Sequence, residues 1–180
     1  VRPAGGHLRR GTFAHALAMA NLNHPNSGSH PGGTVFSSTL ALAQDKGIGG
    51  RDLLTAFVAG AEVMIRIGRA TRHSNEKHGY HAPGTTGPFG AAAGSARLLG
   101  LDCDQTCNAL GIAASTAAGL LEFAKSGTGA MVKRLHIGRA GESGVMAANL
   151  AARGFTGPVS ALEGTFGFIR VFCREYDTDA

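Results

Sequence analysis

Glycine and alanine together set the terms on which this chain can fold. Its 28 glycines fall at the edges of apolar stretches and inside them, without gathering into low-complexity runs. Side chains this small let two helix backbones come close, and glycine ends a helix at little cost. The pattern points to short, tightly packed helices with glycine at their ends and crossings. A length of 180 residues fits one domain, enough to bury a core without disulfides or metals.

Helix signals run almost the whole way. A helix is expected from residue 12 to about 22, where the run FAHALAMANL is strongly helix-forming, ending in the turn-rich NHPNSGSHPGG. A second helix is expected from about residue 34 to 44, continuing to a stop at Gly47. Over residues 51–72, Leu54, Phe57, Val58, Ala61, Ile65 and Gly68 recur at three-to-four spacing, which predicts an amphipathic helix with that stripe buried. Residues 73–88 read as loop, and Pro88 reads as the first turn of the next helix. Asp104 precedes a helix of about 105–123, and another is expected over 138–153, stopped by Gly154. Residues 165–173, TFGFIRVFC, have strand-like content but fit a helix start equally well. Helices packed on helices are the only layer arrangement the rest supports, so the fold class is all-α.

Composition narrows the function classes. No apolar run approaches the length of a membrane span. A net charge of +5 with scattered basic residues, two tyrosines and no tryptophan favours anionic small molecules over nucleic acid. Three cysteines, Cys103, Cys107 and Cys173, cannot all pair within the chain and suit a reducing compartment, so cytoplasm is the expectation.

Two loops rich in glycine and proline hold most of the eight histidines. His30, in Ser29-His30-Pro31-Gly32-Gly33, precedes a helix start, where backbone N–H groups and the dipole favour a carboxylate or phosphate. An exposed loop histidine would look the same. His81 opens a second such segment, whose Thr85 and Thr86 hydroxyls can hold a carboxylate. Its ordinary pKa suits general acid or base work, although a turn held by side-chain hydrogen bonds is the plainer alternative. Lys133, Arg134 and His136 form a positive patch able to bind a carboxylate and stabilise an enolate, or simply a solvated basic turn. His78 and His81 have HxxH spacing, but no flanking ligands complete a zinc site, and no metal is expected.

In order and at plausible intervals, HPGG, GYHAPGTTGPFGAAAGSARLLGLD, NALGIAASTAAGL, KRLHIGRAGESGVMAANLAARGFTGP and LEGTFGF resemble the MmgE/PrpD family, from about residue 11 to 168. The resemblance implies a mostly helical domain of a longer two-domain enzyme, usually a homodimer, working without metal or organic cofactor on small di- or tricarboxylates. Known members include 2-methylcitrate dehydratase, cis-aconitate decarboxylase and an iminodisuccinate epimerase. It matches His30, His81 and Lys133 to active-site positions: His81 as acid/base, Lys133 as carboxylate or enolate stabiliser, His30 as second proton-transfer group. Thr85, Thr86, Arg134 and His136 are the accompanying substrate-binding candidates. His30, His81 and Lys133 should converge on one cleft.

Two departures qualify the match. After His15-Ala16-Leu17 the family usually carries acidic residues and often a threonine, where this chain has Ala18, Met19, Ala20, Asn21 and Leu22. The family's usual α/β second domain is also missing, so residues 1–180 are expected to be part of a helical domain. Three functions remain open: a lyase on a 2-methylcitrate-like or cis-aconitate-like acid, an epimerase on an amino- or imino-diacid, and a catalytically silent helical module for dimerisation or ligand binding.

Overall fold

The computed structural model describes residues 30–179. The expected helix at 12–22, with His15 and the Ala18 to Leu22 stretch, lies outside them. Among the described residues there are helices and turns but no strand, and one isolated antiparallel bridge joins Tyr80 to Leu120. The all-α expectation holds. No helix among the described residues is long and apolar enough to cross a membrane.

A π-helical turn, Gly32–Phe36, runs straight into α1 (Ser37–Lys46), which ends at Gly47 as expected. Its buried hydroxyls do not need outside partners: Ser38 Oγ and Thr39 Oγ1 each donate to the Val35 carbonyl at 2.8 Å, the back-bonding open to Ser and Thr within a helix. Then follow α2 (Gly50–Ala70), the single turn α3 (Ser74–Lys77), α4 (Ala82–Leu99), α5 (Cys103–Ala114), α6 (Val132–Ala151) and the short α7 (Phe168–Phe172). Asp102, not Asp104, caps α5: its Oδ1 accepts from the Gln105 N–H at 2.8 Å while Gln105 Oε1 accepts from the Asp102 N–H at 3.2 Å. This is the reciprocal capping box. The ambiguous TFGFIRVFC segment is helical at α7.

Helix α4 is the hub, packing most extensively against α6 and α2. Both contacts are made backbone to backbone. A Cβ on Gly60 of α2 would lie 2.5 Å from the Gly90 carbonyl oxygen and 2.6 Å from Val35 Cγ1, and one on Gly144 of α6 would lie 2.5 Å from the Ala92 nitrogen. The α2 stripe is corrected accordingly. Its buried residues are Ala56, Gly60, Met64, Ile67 and Gly68, whereas Leu54 and Val58 are 59% and 64% exposed. The helical period holds but its phase shifts: close approach to the next long helix requires small residues at Ala56 and Gly60, Met64 and Ile67 are buried on that same face, and Leu54 and Val58 are left pointing outward.

Three other boundaries move. Residues 74–77 are helical, and α4 begins at Ala82 with Pro83 in its first turn, so Thr85, Thr86 and Pro88 lie inside the helix. Pro88 cannot donate to the Gly84 carbonyl, and the Ala118 N–H does so at 3.3 Å instead. That external donor removes much of the cost of an internal proline. Helix α5 stops at Ala114, not near 123, since residues 118–121 give their backbone groups to the segment around His81. Helix α6 starts at Val132 and not at Gly138, which places Lys133, Arg134 and His136 on its first turns.

The crossing makes a paired prediction. Gly144→Ala should destabilise the fold by about 1–3 kcal/mol, because α4 backbone cannot yield to an added methyl. Gly50→Ala, with open space around its Cβ, should change stability by less than about 1 kcal/mol. Urea unfolding of both variants checks this, and equal effects would contradict the account.

Candidate active site

His81 is placed by backbone before its side chain does anything. As the residue preceding α4, it donates its N–H to the Gly119 carbonyl at 3.0 Å, and its own carbonyl accepts from the Gly84 and Thr85 N–H groups at 3.0 and 3.2 Å. The Leu121 N–H donates to the Gly79 carbonyl at 2.7 Å. These bonds clamp the Gly79–Tyr80–His81 strip to residues 118–121. The approach is close enough that a Cβ on Gly84 would overlap the Ala118 carbonyl oxygen, so glycine is required there.

The His81 side chain is 4% exposed, and its Nδ1 stands 3.2 Å from Nδ1 of His136, on the first turns of α6. Phe123 closes over both rings edge-on, at centroid distances of 5.1 Å from His81 and 5.8 Å from His136. His30 and Lys133 complete the cluster: both lower the His81 pKa by like charge, and Lys133 acts likewise on His30. Segments from four parts of the chain thus meet in one electrostatic neighbourhood.

That neighbourhood disfavours positive charge on every imidazole. Burial is the largest cause for His81, whose pKa is pushed down to about 3, followed by His136, Lys133 and His30. His30 is lowered by burial and by Lys133, with Glu76 pulling the other way, and His136 is lowered by burial. At neutral pH the three imidazoles are uncharged. His30 Nδ1 is buried and has no hydrogen-bond partner among the described residues.

A cavity of about 620 Å³ opens beside this cluster, lined in part by Gly119, Phe123, Val132, His136 and Arg139. His81 is not among its lining residues, but the His136 and Phe123 rings that pack against it are. Arg139 Nη1 pairs with Glu142 Oε2 at 2.5 Å.

The structure sorts the sequence candidates unevenly. His30, His81, Lys133 and His136 come together. Thr85 and Thr86 do not reach a surface: both are fully buried, and their hydroxyls donate to the Ala82 carbonyl at 3.0 and 2.8 Å. Thr85 Oγ1 also accepts from Asn75 Nδ2 at 3.1 Å. Helix burial thus gives those hydroxyls a structural use in place of the carboxylate-binding one expected. Arg134 is exposed on α6 beside Lys133. His78 is exposed where His81 is buried, and no group of three or more His, Cys, Asp or Glu among the described residues is arranged so that it could hold a metal ion. Phe123 and Gly119 escaped the sequence reading, because neither carries a chemical signal until residues 118–123 fold against His81.

A pH dependence follows. Imidazoles whose pKa is lower folded than unfolded bind fewer protons in the folded state, so acid favours unfolding. Stability is complete above the unfolded value near 6.5 and is lost as pH falls toward about 3 for His81. Urea midpoints should therefore drop from pH 7 to pH 4, and drop less in His81→Gln. An identical drop in that variant would show that His81 is not the buried neutral group described.

The model of the MmgE/PrpD N-terminal domain matches residues 1–180. The chain is 34% identical over 163 residues to human cis-aconitate decarboxylase, covering 88% of this chain and 33% of that protein. It is 31% identical over 181 residues to the cis-aconitate decarboxylase-like protein oryM of Aspergillus oryzae, covering 96% and 37%. With the cis-aconitate decarboxylase of Aspergillus terreus it shares 35% over 143 residues, covering 78% and 29%. The chain thus spans about a third of the length of these relatives.

Proposed function

The chain belongs to the MmgE/PrpD family, as its N-terminal domain, and on that premise we propose that it carries carboxylate-binding and proton-transfer groups of a lyase for small di- or tricarboxylates. Decarboxylation of a cis-aconitate-like acid is the reaction the similar proteins' names favour. The observation that carries the reading is the cluster itself. Three imidazoles and one ammonium repel added positive charge, and a polycarboxylate is the ligand that removes this repulsion.

The chemistry asks for those groups. In an allylic decarboxylation the bond to one carboxylate carbon breaks and its electron pair becomes a new carbon–carbon double bond. The pair of the old double bond takes a proton at the far carbon, and carbon dioxide leaves. Negative charge develops on the carbon skeleton during the step, so a cation held beside it stabilises the transition state more than the ground state. Lys133 is that cation. His81 is the proton donor to carbon, and His30, whose buried Nδ1 has no hydrogen-bond partner among the described residues, holds a second carboxylate or the other end of the proton path. Dehydration of a 2-methylcitrate-like acid would draw on the same cation and the same proton donor.

Incubating the chain with cis-aconitate, citrate and 2-methylcitrate, while following alkene absorbance and carbon dioxide, tests this. Carbon dioxide release from cis-aconitate, abolished by His81→Ala, is the expected result. Lys133→Ala should weaken carboxylate binding by about 1.5 kcal/mol, roughly tenfold, through loss of one charged hydrogen bond. Unchanged binding and kinetics in Lys133→Ala would remove the role given to it. A helical chain that turns over none of the acids would favour a silent module.

A further inference from the structure

A separation of 3.2 Å between His81 Nδ1 and His136 Nδ1 has one satisfactory solution for two neutral rings. One ring carries its proton on Nδ1 and donates; the other carries its proton on Nε2 and accepts with Nδ1. Two facing N–H groups would collide, and two facing lone pairs would repel. The rings therefore hold opposite tautomers, and a change in one forces a change in the other. Protonation to an imidazolium offers no easy escape, given the burial and the Lys133 charge.

The pair also has a direction. His136 is partly exposed and lines the cavity of about 620 Å³, while His81 is 4% exposed and is not itself among the lining residues. Gly119 leaves the pair its room, since a Cβ there would stand 3.1 Å from His136 Nδ1. Gly119 also fixes His81 by accepting its N–H. One small residue thus sets the position of both rings.

We propose that His81 and His136 form a neutral tautomeric relay that carries a proton from water in the cavity to the reacting carbon, an inference that rests on the decarboxylase reading. At the start His136 donates through Nδ1–H to His81 Nδ1, and His81 presents Nε2–H to the substrate. As the carbon–carboxylate bond breaks, its electron pair becomes the new double bond and the pair of the old one takes the His81 Nε2 proton. The His136 Nδ1 proton moves to His81 Nδ1, and a cavity water gives a proton to His136 Nε2. Both rings end neutral, each with its proton on the other nitrogen. The hydroxide left from that water combines with the released carbon dioxide as hydrogencarbonate, and nothing is oxidised or reduced. Exchange with water restores the starting tautomers. His136 touches no substrate in this scheme; it acts through His81.

Imidazole ¹⁵N resonances of the full chain at pH 7 test the pairing without turnover. Wild type should show His81 as the Nε2–H tautomer and His136 as the Nδ1–H tautomer, assigned with His136→Phe and His136→Gln. Decarboxylation of cis-aconitate should then fall roughly 100-fold in kcat in His136→Phe, with KM little changed. A proton inventory in mixed light and heavy water should be curved in wild type, for several protons in flight, and straight in the variant. Two identical tautomers in wild type, or a His136→Phe rate within about twofold of wild type, would overturn the relay. Opposite tautomers in a wild-type chain that turns over none of the acids would instead sink the functional reading and leave the paired proton standing.

Discussion

Everything else in the molecule depends on how closely the backbone of α4 is approached from both sides. Gly60 meets it from α2 and Gly144 from α6, each at a distance no side chain would allow. Such contact gives up the area that large side chains would bury and gains dense packing in return. It also fixes where α4 begins. Because both flanks hold the helix, its first turn sits in a defined place, and His81 just before it becomes a dependable anchor for chemistry.

The same economy of side chains runs through the site. Pro88 leaves the Gly84 carbonyl without its helical donor, and Ala118 supplies one. That exchange draws residues 118–121 alongside Gly79 and His81, brings Gly119 under His136 and places Phe123 over both rings. A proline that would normally weaken a helix thereby couples α4 to the segment that shapes the site. The outcome is a set of imidazoles held neutral beside a lysine.

Much of this was legible in the sequence, and the failures share one cause. Helical periodicity and glycine punctuation identified the all-α class and most helices, because both signals are local. HPGG, GYH and KRLHIG pointed to His30, His81 and Lys133, which the structure gathers from distant segments. The buried face of α2 differs from the expected stripe because three-to-four spacing gives the period without its phase, and the close approach to α4 at Ala56 and Gly60 sets that phase. Thr85 and Thr86 were read as ligands for the same reason that residues 82–88 were read as loop: two prolines argue against a helix until Ala118 is known to serve the Gly84 carbonyl. Phe123 had no local signal at all. Tertiary contact, by close packing at α2 and by backbone hydrogen bonding around residues 79–84 and 118–121, decided each of these points.

The central claim is that a preassembled cluster of neutral imidazoles and Lys133 awaits a polycarboxylate. A bound polyanion must raise the imidazole pKa values from their depressed positions, so binding should take up protons. Titration calorimetry of cis-aconitate into the chain at pH 6, in two buffers of different ionisation enthalpy, measures that uptake directly. The account predicts a buffer-dependent binding heat corresponding to net proton uptake, diminished in His30→Gln. Binding with no dependence on buffer, or proton release, would contradict it.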